Sequence, residues 1–467
     1  MENKLVYDIH DKPKFGAMLV FAFQQLLAIM AATIVVPVLV SGNAGLNEAD
    51  AMSMSAALLG AGVGTLVYQL FTKFRSPVFL GSSFAFIGSM TAAFAGAISN
   101  VYLGYLGLII GALLAGLVYA VIAIVVKVAG VNWINKLMPA AVIGPTVALI
   151  GLSLSGAAIK DVFSYGATDI NGSYIMKGFS WVSFICAMVT LIVVTLCSTY
   201  GKKMTKLIPF IIGILAGYGV ALVFTVIGIK TGNKELIAID FSVFKNLLVD
   251  GKVALSTFVA VPEFTFVNAF KGIGDFNISY LATVAVAYVP VAFVVFAEHI
   301  ADHKNLSSII NKDLLEDPGL HRTLLGDGIG SFVGAIFGGC PNTTYGESVG
   351  CVAITRNASI ATITTTALMA IVISFISPFV AFLDSIPGCV MGGVCITLYG
   401  FIAVSGLKMI QKVDLEDNAN LFTVAAILIP GIGGMAMKIG QVTITNIACA
   451  LVLGIIINLI LHAKKKA

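Results

Sequence analysis

The chain has 467 residues, 58% of them hydrophobic and 11% charged, with a mean hydropathy of +1.01 and a formal net charge of +4. Soluble domains carry about 25% charged residues, so this composition excludes a soluble globular fold. The small positive excess gives no basis for nucleic-acid binding.

Apolar runs long enough to cross the bilayer, about 20 residues each as a helix, recur along the whole chain. After the polar head MENKLVYDIHDKPK, the first run, from about Phe15 to Val40, is too long for the core of a signal peptide and is expected to stay as a membrane helix. Further helices are predicted near residues 51–71, 102–126, 134–154, 177–197 and 205–228, then 278–302, 361–383, 387–406, 418–436 and 440–462. Shorter pieces near 83–97, 322–338 and 346–355 complete a set of fourteen segments. The stretch between residues 230 and 278 reads as an external loop with a surface helix.

Lysine and arginine fall in every second connection: Lys4, Lys12 and Lys14; Lys73 and Arg75; Lys127 and Lys136; Lys202, Lys203 and Lys206; Lys304, Lys312 and Arg322; Arg356; Lys408 and Lys412; and Lys464, Lys465 and Lys466. The positive-inside rule then places both termini in the cytoplasm, which requires an even number of crossings.

Seven cysteines lie mostly inside apolar runs without paired spacing and read as packing residues. His299 and His303 stand four apart beside Glu298 and Asp302, but a zinc hydrolase helix carries its glutamate directly after the first histidine, where this chain has Ile300. No metal or cofactor is expected. Gly60 and Gly64, Gly107 and Gly111, and Gly330, Gly334 and Gly338 recur at four-residue spacing, as close helix packing requires.

Glu298, in VPVAFVVFAEHIADH, and Glu347, in PNTTYGESVGCVAITR, are carboxylates in strongly apolar settings. An ionisable group at bilayer depth costs roughly 2.5–3.5 kcal/mol even on insertion scales, so it marks a binding site or a proton path. Two interrupted segments, Ser76 to Phe94 and Gly338 to Thr355, occupy corresponding places in the two halves of the chain. Paired broken segments point to an inverted-repeat transporter with its site at the midplane. Half-helices starting near Ser83 and Gly346 would offer free backbone N–H groups to ligand carbonyls, while Glu298 and Glu347 would accept from ligand N–H groups. A planar base such as uracil or xanthine fits that pattern, with Phe84 or Tyr399 covering a ring face or adding a hydroxyl contact.

The string TTYGESVGCVAITR closely resembles the signature of the nucleobase–ascorbate transporter family, here read from Glu347 and Ser348 through Gly350 to Thr355 and Arg356. FAEHIADH and GSSFAFIGS resemble its uracil permease branch, and the likeness runs nearly the full length. The resemblance implies an all-α polytopic membrane protein of fourteen segments in two inverted repeats of seven, with two broken segments as short strands plus half-helices. It also implies a core domain (1–130 and 278–384), a gate domain (131–230 and 385–467), a loop at 231–277, and a homodimer. Carried over by motif, Glu298, Glu347, Phe84, Gly346, Tyr345, Ser83, Tyr399 and Ser348 would bind the base, and Glu298, Glu347 and Asp302 would serve proton coupling. Glutamate at the first signature position favours a pyrimidine over a purine. Three departures stand out: Ser348 replaces the signature asparagine, Gln25 stands where many members have histidine, and Asp302 stands where the uracil permease has histidine. The expectation is proton-coupled import of uracil across the plasma membrane, with xanthine as the alternative base. An anion exchanger of similar fold is a weaker rival because two site glutamates repel anions.

Overall fold

The computed structural model describes residues 5–463 except 98–99, 131–132, 134–137, 164–166, 171–172, 177, 179, 203, 249–250 and 440–441. Lys4, Lys136, Lys203 and Lys464 to Lys466 of the topology pattern, and the start of the helix expected at 134, lie outside the described residues. The first half runs α1 (Phe15–Ala44), α2 (Met54–Phe71), β1 (Leu80–Ser82), α3 (Ile87–Gly96), α4 (Val101–Ala129), α5 (Ala140–Ser153), α6 (Ser155–Val162), β2 (Ala167–Ile170), β3 (Ser173–Met176), α7 (Ser180–Tyr200) and α8 (Pro209–Thr231). After α9 (Thr265–Lys271), the second half runs α10 (Ile278–Ile310), α11 (Leu320–Gly338), β4 (Asn342–Thr344), α12 (Gly346–Thr355), α13 (Ile360–Ile373), α14 (Ser377–Asp384), α15 (Gly388–Ile410), α16 (Asn418–Ile432), β5 (Met437–Ile439), β6 (Val442–Ile444) and α17 (Asn446–Ala463). Isolated single turns of helix are left unlabelled.

Among the described residues, eight helical spans are long and apolar enough to cross a membrane, and four shorter apolar helices join them. The chain is a multi-pass membrane protein. Local chemistry fixes several helix starts: Asn100 Oδ1 accepts from Tyr102 N–H and Asn277 Oδ1 from Tyr280 N–H, satisfying donors that no helical partner reaches.

Helix α2 lies against α11, with α4, α10 and α13 around them; α15 packs on α5, α6 and α7, with α8 on α7, and α16 on α5 and α17. The two groups of helices meet where α10 touches β6 and α17 and where α1 touches α8. The four-residue glycine spacing serves the α2–α11 contact directly. A Cβ on Gly60 would stand 2.5 Å from Gly334 O, and one on Gly64 2.7 Å from Gly330 O, so neither position admits a side chain.

Two differences from the sequence expectation have physical causes. The helix expected at 361–383 is split into α13 and α14, because Phe375 O and Ser377 N–H pair with Ala260 N–H and Phe258 O of the distant connecting segment, and Pro378 starts the second piece. The expected helices at 418–436 and 440–462 are shorter, since Met437–Ile439 and Val442–Ile444 pair as an antiparallel hairpin rich in β-branched residues. Within the segment between α8 and α10, α9 packs on α4 and α11.

Candidate functional site

The two interrupted segments cross one another. Strands β1 and β4 pair antiparallel, Leu80 opposite Thr344, Gly81 opposite Thr343 and Ser82 opposite Asn342. Buried irregular backbone in a membrane protein must find its hydrogen bonds within the protein. Here Ser83 N–H donates to Pro341 O at 2.9 Å, Tyr345 OH to Ser82 O at 2.7 Å, and Asn342 Nδ2 to Gly60 O at 3.0 Å. Gly81 is obligatory, since a Cβ there would lie 2.3 Å from the Tyr345 ring.

Both strands lead into half-helices, α3 at Ile87 and α12 at Gly346. No side chain caps the N-terminus of α12, which presents its backbone N–H groups and Glu347 in its first turn. A third element, α10, passes alongside with Glu298 and Asp302 one turn apart. These pieces enclose a cavity of about 370 Å³, in the range of small-molecule sites. Glu298, Asp302, Glu347, Gly346, Tyr345 and Phe84 line one side of it, and α15 supplies Leu398, Phe401, Ile402, Ser405 and Met409 opposite. The three carboxylates are half-buried where they line this space. A Cβ placed on Gly346 would be 3.9 Å from Asp302 Oδ1, which shows how near that acid stands to the half-helix terminus. Asp302 Oδ2 accepts from Thr344 Oγ1 at 2.9 Å.

The remaining predicted residues stand behind this surface. Ser348 is buried, and its Oγ accepts from Gln25 Nε2 at 2.5 Å and from Phe79 N–H at 2.9 Å. Its hydroxyl thus ties α1, the arm before β1 and the start of α12 together. Ser83 is fully buried beside the strand crossing. Tyr399 is buried and meets the Phe84 ring edge-on, with centroids 6.3 Å apart, so it backs Phe84 without lining the cavity. Phe84 also borders a second, larger cavity of about 940 Å³ that reaches Asn277 and Tyr280 at the start of α10.

No lysine or arginine pairs with Glu298 among the described residues; the Lys and Arg ion pairs there are Arg75–Asp317 and Lys312–Asp8. The described residues also hold no metal-binding cluster of His, Cys, Asp or Glu. Sequence reasoning missed Asp327, whose Oδ2 lies 2.7 Å from Nδ1 of His299 on α10. An aspartate inside the glycine-rich apolar run LLGDGIGSFVGAIFG was the available signal.

The model of the permease family Xan_ur_permease matches residues 16–440. Among curated relatives, the uracil permease of Bacillus caldolyticus is 38% identical over 468 residues, covering 100% of this chain and 96% of that protein. The uracil permease of Escherichia coli (strain K12) is 32% identical over 97% of this chain and 93% of its own length. The fold is similar to the transmembrane domain of a cyanobacterium bicarbonate transporter, BicA, with a TM-score of 0.59 at 14% identity over 98% of this chain and 100% of that one. SLC26A9 gives 0.61 at 13% identity over 97% of this chain and 66% of that one. With a family match over most of its length and relatives aligned end to end, the chain belongs to the Xan_ur_permease family, the nucleobase–ascorbate transporters whose signature it carries.

Proposed function

We propose that this permease imports uracil in symport with protons. The observation that carries the reading is the juxtaposition, in one cavity, of the carboxylates Glu298 and Glu347 with the uncapped N-terminus of α12 and the Phe84 ring. Uracil presents two N–H donors and two carbonyl acceptors on a flat ring. Carboxylates accept from the donors, backbone N–H groups at Gly346 and beside Phe84 give to the carbonyls, and an aromatic ring covers a face. Full-length likeness to proteins named uracil permease supports the base.

Proton coupling follows from the acids. Three carboxylates line one cavity with no lysine or arginine paired to Glu298 among the described residues, and ionisable groups so placed in a membrane protein serve proton relays. Glu298 or Glu347 carries it, and Asp302 contributes as a third acid. The transport cycle moves a core domain (1–130 and 278–384) against a gate domain (131–230 and 385–467), each built from both halves of a fourteen-segment inverted repeat. The segment 231–277 lies outside, both termini face the cytoplasm, and the gate domains form a homodimer in the plasma membrane.

One observation favours a second reading: a cavity of about 370 Å³ also admits a two-ring base such as xanthine. The test is uptake of radiolabelled uracil into proteoliposomes under an inward proton gradient, with xanthine as competitor. Gradient-dependent uptake blocked by uracil and not by xanthine is expected. Uptake of xanthine alone overturns the pyrimidine assignment, and uptake indifferent to the gradient overturns the coupling.

A further inference from the structure

The face of α10 turned away from the cavity carries His299 and His303, stacked with ring centroids 4.1 Å apart. His303 is 1% exposed, and its Nδ1 lies 2.8 Å from His299 O. A carbonyl only accepts, so the hydrogen sits on Nδ1. Among the described residues no carboxylate lies within hydrogen-bond distance of this ring, whose other neighbours are the hydroxyls of Tyr68 at 2.8 Å and Ser76 at 3.3 Å from Nε2. The ring is therefore the neutral tautomer with Nε2 as acceptor. Tyr68 donates its single hydroxyl hydrogen to Ser76 Oγ, 2.7 Å away, which leaves the serine's own hydrogen for Nε2. Tyr68 and Ser76 are both fully buried.

These three side chains belong to three different pieces of the site. His303 follows Asp302 on α10, Tyr68 closes α2, and Ser76 begins the extended arm that runs through β1 to Phe84. None of them lines the cavity. We propose that His303, Tyr68 and Ser76 form a neutral clamp that holds the Phe84 arm in register with the Glu298–Asp302 turn, and so sets the affinity for the base without touching it. This rests on the uracil reading above. The clamp residues are positioning residues, and their effect must pass through Phe84.

The experiment is a double-mutant cycle on purified, reconstituted full-length protein, read by equilibrium binding of radiolabelled uracil and by the pH profile of uptake. Tyr68→Phe alone is expected to raise the dissociation constant only roughly twofold to threefold, because Ser76 keeps its own hydrogen for Nε2. Tyr68→Phe with Ser76→Ala removes both hydroxyls that face Nε2 and is expected to raise it about tenfold. In a Phe84→Ala background the same pair is expected to add less than about twofold, with the pH profile unshifted in both backgrounds. An equal factor in both backgrounds would reduce the network to general structural support, and unchanged affinity would remove it altogether. A shifted pH profile would make His303 a titrating group and overturn the neutral clamp. If the doubly changed protein fails to reach the membrane, Tyr68→Phe and Ser76→Ala run singly through the same cycle and are judged on the same loss of effect in Phe84→Ala. Wild-type protein that binds no uracil refutes the substrate reading instead, and the cycle is then read with xanthine as the ligand.

Discussion

Ser348→Ala isolates what the signature serine does. Its Oγ is the acceptor for two buried donors, Phe79 N–H and Gln25 Nε2. Alanine leaves the Phe79 amide with no acceptor in a fully buried position, at about 1–3 kcal/mol. Gln25 loses less, because its Nε2 already lies 3.5 Å from Ser348 O and can turn towards it. The sum is about 2–4 kcal/mol, divided between stability and the placement of the α12 N-terminus. Thermal unfolding of the purified protein with and without saturating uracil measures the first part, and equilibrium binding the second. We expect a lowered unfolding temperature together with an affinity loss of about tenfold. Gln25→Leu should then add less than about 0.5 kcal/mol in the Ser348→Ala background, as partners in one network are not additive. Full affinity loss at unchanged stability, with additive Gln25→Leu, would mean that Ser348 meets the base directly and would refute the wall-side role.

Glu298→Gln and Glu347→Gln each remove a charged acceptor facing the cavity, worth about 1.5–3 kcal/mol to a ligand N–H, so the half-saturation concentration should rise roughly tenfold to a hundredfold. Proton-driven uptake that survives in both variants sinks the carrier role of these acids. Asp302→Asn can keep the hydrogen bond from Thr344 while losing the titratable proton, so binding should stay within about threefold while stimulation by the gradient falls; wild-type accumulation in this variant would exclude Asp302 from coupling. Gly334→Ala would put a Cβ 2.1 Å from Asn342 Nδ2, displacing the donor that holds Gly60 O. A stability loss of about 1–3 kcal/mol is expected by thermal unfolding, and an unchanged transition would show that the strand crossing tolerates repacking.

The elements nearest the chemistry were the most legible in the sequence. Helix α12 spans Gly346–Thr355 as read, because Pro341 and the polar run after it cannot continue α11, and Glu347 is conspicuous among apolar neighbours. Glu298 was legible for the same reason. The break at residues 374–376 was not, since nothing in the apolar run announces that residues 258–260 will pair with it. His299 and His303 stand one helical turn apart yet meet different partners, one Asp327 on α11 and the other Tyr68 on α2. Partners 28 and 235 residues away leave no trace in a local pattern.

The departures from the family signature acquire a common meaning once placed in space. Ser348 and Gln25 looked like independent changes 323 residues apart, yet they hydrogen-bond each other. A serine hydroxyl is too short to reach past the wall it helps to build, and the longer glutamine comes to meet it from α1. An asparagine at the same position would carry an amide, a donor as well as an acceptor, further along the same direction. With serine there, the half-helix side of the cavity offers no side-chain amide, and Asp302 adds a third carboxylate near Gly346. In the proposed binding mode, side-chain recognition is thereby weighted towards ligand donors, and the ligand's carbonyls fall to the backbone N–H groups of the two half-helices. A pyrimidine with two N–H groups and two carbonyls satisfies that division. A ligand richer in acceptors, or an anion, would face the carboxylates unpaired.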